Sequence, residues 1–300
     1  MVFRVTSKIG IALLIVLFLN SIVAAQDAYH GDALRGALIY DNWFVILDLS
    51  PPEGDHPLWA SQSSNLRSGT ITFRCTTCHG WDYKGADGAY SPNSAEYTGF
   101  KGIQGMVGAT NDEIIASLDG SNNPSHDFSG LIHRRALVDL IAFIRTKQVD
   151  IALLINYEDR SALGNDEMGR DLYRETCLAC HGPDGSTLNF ESAANPEFIG
   201  DVALADPWRF VHRVRFGSPL SLNHSFEALG WSLQEIVDTL AYSQRLPAAD
   251  PNAGQILDPS SEQAIDVAEQ GQMNAINIAA LVIVLIILTS QIWMAYIAKP

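Results

Sequence analysis

All four cysteines of this 300-residue chain stand in two copies of one pattern, Cys75-Thr-Thr-Cys78-His79 and Cys177-Leu-Ala-Cys180-His181. Two thiols three positions apart, on one turn of helix, can add to the two vinyl groups along one edge of a haem. The histidine that follows then points its imidazole at the iron. A bare C-x-x-C would instead suggest a redox dithiol or half of a zinc site. No cysteine is left over for a disulfide, a nucleophile or a zinc ligand. The expectation is two covalently bound haem c groups, on Cys75 and Cys78 and on Cys177 and Cys180, with His79 and His181 as proximal iron ligands.

Charge narrows the partners. The formal net charge is −15, and haem propionates would deepen it. That argues against a nucleic-acid partner, which calls for a basic patch. It suits a basic redox protein, because complementary fields steer encounter, and it equally suits an acidic surface that only keeps the chain soluble.

The two ends of the chain have their own patterns. Arg4 and Lys8 precede an apolar stretch from Ile11 to Phe18, and Val23-Ala24-Ala25 supplies small residues for cleavage. Residues 1–25 are therefore expected to be a secretory signal peptide. Its removal takes two positive and no negative charges, turning −15 into −17. At the other end, Ile276 to Ala298 is an uncharged run of 23 residues with Trp293 and Tyr296 near its far end. Such a run is long enough to span a hydrocarbon core of about 30 Å as a helix. Residues 273–300 are expected to form a single transmembrane anchor in contact with the lipid bilayer. The segment 248–272 is acidic, carries no Lys or Arg, and is expected to be a solvated linker.

The middle of the chain is one module written twice. Gly36-Ala-Leu-Ile-Tyr40 precedes the first motif and Gly169-Arg-Asp-Leu-Tyr173 the second, but the first copy reaches Cys75 only after an insertion rich in Pro, Ser and Gly. Each motif is followed by a loop-rich stretch and a short helix signal, Asn111-Asp-Glu113 in one copy and Asp206-Pro207 in the other. Each copy closes on an apolar stripe at helical spacing: Leu137, Leu140, Ile141 and Ile144, then Leu233, Ile236, Val237 and Leu240, with Ser232 as a cap. These stripes are core packing, the scaffold rather than the chemistry.

In this order of elements the chain resembles the class I cytochrome c family. The resemblance covers roughly residues 33–148 and 166–246; it is specific at the haem motifs and looser elsewhere. It implies an all-α fold of two tandem class I cytochrome c domains, residues 26–150 and 151–247, flanked by the signal peptide and the anchor. Family members usually offer Met as sixth iron ligand, on the loop before the last helix. Here Met106 and Met168 are out of place for that role, and the expected position holds His twice, in Pro124-Ser-His126-Asp-Phe128 and Leu222-Asn-His224-Ser-Phe226. The spacing agrees between copies: 47 residues from His79 to His126 and 43 from His181 to His224. The resemblance thus implies bis-histidine ligation, with His126 distal at haem 1 and His224 distal at haem 2. His133 and His212 are the competing distal candidates. His30 and His56 lack this context and are expected at the surface. Trp81 and Tyr83 are expected against the haem edge, and Arg74, Arg209, Arg213 and Arg215 are candidates for pairing with propionates.

Imidazole in place of thioether removes a bias toward reduced iron, so both haems are expected at low potential. The resulting expectation is an electron carrier on the periplasmic side of a bacterial inner membrane, serving basic or membrane-embedded redox proteins. The alternatives are a cytochrome subunit of a larger membrane oxidoreductase complex, or a two-haem enzyme of the peroxidase or thiosulfate dehydrogenase type.

Overall fold

The computed structural model describes residues 31–219 and 225–249. The segments expected to be signal peptide and anchor, nearly all of the acidic linker, and His30 and His224 lie outside them. Among the described residues the architecture is helical, and extended pairing is limited to three isolated bridges. The expected transmembrane helix needs correcting. No helix of the described residues is long and apolar enough to cross a membrane. The longest has 14 residues, about 21 Å at 1.5 Å per residue, well short of a bilayer core of about 30 Å. The fold-class expectation is thus corrected: the described residues are helical and contain no membrane-spanning helix.

Module one starts with α1 (Ala33–Ile46), whose first N–H groups, those of Leu34 and Arg35, donate to the Asp32 carboxylate at 3.0 Å. The haem motif forms α2 (Cys75–His79). A capping box of Thr110 and Glu113 opens α3 (Asn111–Leu118) one residue before the expected cap. The module closes with α4 (Arg134–Thr146). Module two repeats the plan. Its first helix, α5 (Asp166–Leu172), runs through a π-type turn at Tyr173–Cys177 into α6 (Leu178–His181). Then come α7 (Ile199–Ala205), α8 (Pro207–Phe216) and α9 (Leu233–Ser243), the last capped by Ser232 and Glu235 as expected.

The two copies match atom for atom at the crossing of first and last helix. A Cβ on Gly36 would strike the Asp139 carbonyl of α4, and one on Gly169 the Asp238 carbonyl of α9. Glycine is there because the two backbones touch. The Asp32 N–H donates to the buried Asp139 carboxylate at 2.8 Å, and the Asn165 N–H to Asp238 at 2.7 Å. Tyr40 donates its hydroxyl to the Gly80 carbonyl at 2.6 Å, and Tyr173 to the Gly182 carbonyl at 2.8 Å. Gly80 and Gly182, which follow the haem motifs, both hold positive φ, 76° and 78°. That left-handed turn is what lets the chain leave the motif helix at once.

The copies also differ. Tyr40 and Gly80 are 40 positions apart and Tyr173 and Gly182 only 9, so module one carries 31 extra residues here. They fold as two 3-10 turns, Pro57–Ser61 and Gly69–Phe73, tied to α1 by the Trp43 indole N–H donating to the Phe73 carbonyl at 3.0 Å.

The modules belong to one compact unit and share a buried polar seam. Asp41 of α1 is fully buried. It accepts from Arg74 of its own module and, at 2.9 Å, from Arg213 of α8. Both guanidinium groups lie over the Trp81 ring, at 5.9 and 5.4 Å from its centre, a favourable cation–π geometry. Beside them His212 is buried with both ring nitrogens engaged. Nε2–H donates to the Ala37 carbonyl at 3.1 Å, and Nδ1 accepts from the Tyr83 hydroxyl at 2.7 Å.

Candidate functional site

Module one encloses a cavity of about 350 Å³, within the range of small-molecule and cofactor sites. One wall is the haem motif, presenting Cys75, Cys78 and His79; Phe73, Ile114, Leu118, Phe128, Leu140 and Ile144 supply much of the apolar lining. Burial pushes both thiols up to about 12. They therefore meet the cavity as neutral, apolar groups, with any thiolate suppressed.

The opposite wall carries His126, from the 3-10 turn Pro124–His126. Its ring centre is 6.0 Å from that of His79, with the planes at 88°. Two imidazoles sharing one metal, each bond about 2 Å and each ring centre roughly 1 Å behind its nitrogen, stand about 6 Å apart. The two rings are also oriented from behind in the same way. His79 Nδ1 lies 2.6 Å from the Lys101 carbonyl, and His126 Nδ1 lies 2.6 Å from the Ser117 carbonyl. A carbonyl only accepts, so each Nδ1 carries the proton and each Nε2 keeps its lone pair, the arrangement that metal-binding histidines adopt. Desolvation lowers His79 to about 4, which keeps that ring neutral at ordinary pH. On donor type, tautomer and separation, the residues present fit a bis-histidine haem.

In module two the cysteines differ in exposure, Cys177 half-buried and Cys180 exposed. Burial raises the Cys177 thiol. His181 packs edge-on against Phe190 at 5.7 Å. The proposed distal residue, His224, lies outside the described residues.

Other sequence expectations change. His212 is excluded as an iron ligand because both its nitrogens are taken; desolvation lowers it to about 3. His133 is the N-cap of α4, its Nδ1 accepting from the Ala136 N–H at 3.2 Å. The four arginines proposed for propionates pair with carboxylates instead: Arg74 and Arg213 with Asp41, Arg209 with Glu197, Arg215 with Glu227. Trp81 and Tyr83 pack on His212, at 5.2 and 5.9 Å, in the seam between modules.

His56, expected at the surface, is 5 % exposed and lines the cavity. Its ring stacks on Phe128 at 5.4 Å and meets His126 edge-on at 5.9 Å. The following Pro57 does mark the start of a turn in the sequence. Burial of that turn depends on Phe73 and Phe128, 17 and 72 residues further on, and no local pattern carries that. Met106 also lines the cavity.

Compared with known proteins, the chain matches no family, no curated protein and no solved structure.

Proposed function

We propose that the chain is an electron-transfer protein carrying two covalently attached haem c groups. Haem 1 is held by Cys75 and Cys78 and ligated by His79 and His126. Haem 2 is held by Cys177 and Cys180 and ligated by His181, with His224 as its proposed distal partner. The observation that carries this reading is the pair His79 and His126, lining one largely apolar cavity with ring centres 6.0 Å apart and both Nδ1 atoms bound to backbone carbonyls. When bound, haem supplies one-electron redox chemistry at its iron. The residues of this chain would orient it and exclude water from it. With His79 and His126 both committed to holding it, no donor position would be left at haem 1 for peroxide or another substrate, which favours a carrier over a haem enzyme. The acidic surface supports a basic redox partner. The proposed place of work is the periplasmic side of a bacterial inner membrane, supported by the charged-then-apolar pattern of residues 1–25.

The test is spectroscopic. Purified protein should contain two haems per chain by pyridine haemochromogen assay and be low-spin in both oxidation states. Perpendicular imidazole planes at haem 1 predict a strongly anisotropic ferric signal in paramagnetic resonance. His126→Ala should convert haem 1 alone to a high-spin form. A methionine–iron charge-transfer band, or a His126→Ala spectrum identical to the parent, would reject the ligand assignment.

A further inference from the structure

His56 belongs to the 31-residue stretch that module two lacks, yet its ring lies inside the haem-1 cavity beside the distal ligand. Its surroundings fix which nitrogen carries the proton. The Leu58 N–H donates to His56 Nδ1 at 3.2 Å, so Nδ1 holds a lone pair and the proton sits on Nε2. This is the opposite tautomer from His79 and His126. A ring with Nε2–H offers iron no lone pair on its free side. It offers a hydrogen-bond donor instead. The residue is also locked: its backbone N–H donates to the Thr72 hydroxyl at 2.8 Å, Phe73 meets the ring edge-on at 5.1 Å and Phe128 stacks on it. With Nδ1 accepting, the ring holds a single proton and is a neutral donor.

We propose that His56 is a positioning residue for haem 1, donating its Nε2–H to an anionic oxygen of that haem's propionates and so setting the haem-1 potential apart from that of haem 2. Haem offers one kind of strong acceptor, its carboxylates. Most of the lining is apolar, and of its two cations Arg74 is already paired with Asp41, so a carboxylate entering it is in need of a donor. A neutral donor spreads the carboxylate charge without adding a positive one. It weakens the stabilisation of ferric iron, so its removal lowers the potential. The second module has no counterpart of this stretch between Tyr173 and Gly182, and the effect should be confined to haem 1.

The proposal rests on haem being bound as described above, and the experiment separates the two claims. His56 has two roles that two substitutions divide. His56→Asn keeps an acceptor near the Nδ1 position for the Leu58 N–H but cannot reach into the cavity. His56→Gln keeps an N–H donor near the Nε2 position but fits the cap poorly. In full-length protein with both haems verified by haemochromogen assay, redox titration should give His56→Asn a lowered haem-1 midpoint. The expected fall is about tenfold in the reduction equilibrium, or about 59 mV for a one-electron couple. Haem 2 should stay in place, and His56→Gln should remain near the parent value. A purely structural role for the cap predicts the reverse order, with His56→Asn silent and His56→Gln perturbed, and that result would overturn the proposal. So would equal shifts at both haems, or a high-spin haem 1 in His56→Asn, which would make His56 the ligand. Absence of haem in the parent protein would instead defeat the functional reading itself.

Discussion

The two modules share a scaffold and differ in what surrounds their haem motifs. Gly36 against Asp139 is repeated as Gly169 against Asp238, and the Tyr40–Gly80 hydrogen bond as Tyr173–Gly182. What module one adds is a cover: the stretch that supplies Phe73 and His56 to its cavity. In module two the chain passes from helix to motif without a break, and Cys180 is exposed. The duplicated part is a crossing of two helices and a turn that leaves each C-x-x-C-H motif sharply. The part that differs would set how much water and how many polar groups each proposed haem meets, which are the levers on its potential.

The seam between the modules gives the largest effect. Asp41→Ala leaves Arg74 and Arg213 without their shared buried carboxylate and should cost about 3 kcal/mol or more. Denaturant titration should then show the modules unfolding in separate steps. A single unchanged transition would mean the seam holds nothing together.

The glycine crossing comes next. Gly36→Ala and Gly169→Ala each drive a methyl group into a helix backbone, and overpacking of this kind costs about 1–3 kcal/mol. Similar losses in thermal unfolding would support equivalent crossings; a neutral Gly169→Ala would show module two to be the looser copy.

Acidification should act through His212. Its folded value is about 3 against 6.5 for the free group. Between those values the unfolded chain binds the extra proton, so stability rises with pH across that window. The contribution is present in full above 6.5 and is lost as pH falls toward 3. His212→Gln should flatten the stability difference between about pH 7 and about pH 5, and denaturant midpoints at the two pH values measure it.

The helix caps give the smallest effect. Ser232→Ala removes the acceptor for the Glu235 N–H and should cost about 1 kcal/mol, as should Thr110→Ala in module one, where Thr110 accepts from the Glu113 N–H. A larger loss at Ser232 would show that module two depends more on its closing helix.

Much of this was legible in the chain itself. C-x-x-C-H is a local pattern, so the proposed role of four cysteines and two histidines could be read without a fold. The closing stripes at Leu137–Ile144 and Leu233–Leu240 follow helical spacing and became α4 and α9. The pairing of His126 with His79 was an expectation from spacing and family resemblance, and the structure brings the two rings to 6.0 Å. The arginines misled because a guanidinium finds whichever carboxylate folding delivers, and Asp41, Glu197 and Glu227 were not neighbours in any local pattern. The anchor expected at residues 273–300 rested on hydropathy alone, and no described helix provides it.

By itself, then, the sequence determined that the C-x-x-C-H pattern and the helical plan around it occur twice, because these depend on contacts within a few residues. Only the tertiary structure decided that His212 is a seam residue, that Asp41 joins the modules, and that His56 lines the module-one cavity with its proton on Nε2. Each of those depends on groups that long-range packing brings together, where burial and a single hydrogen bond decide which nitrogen is free.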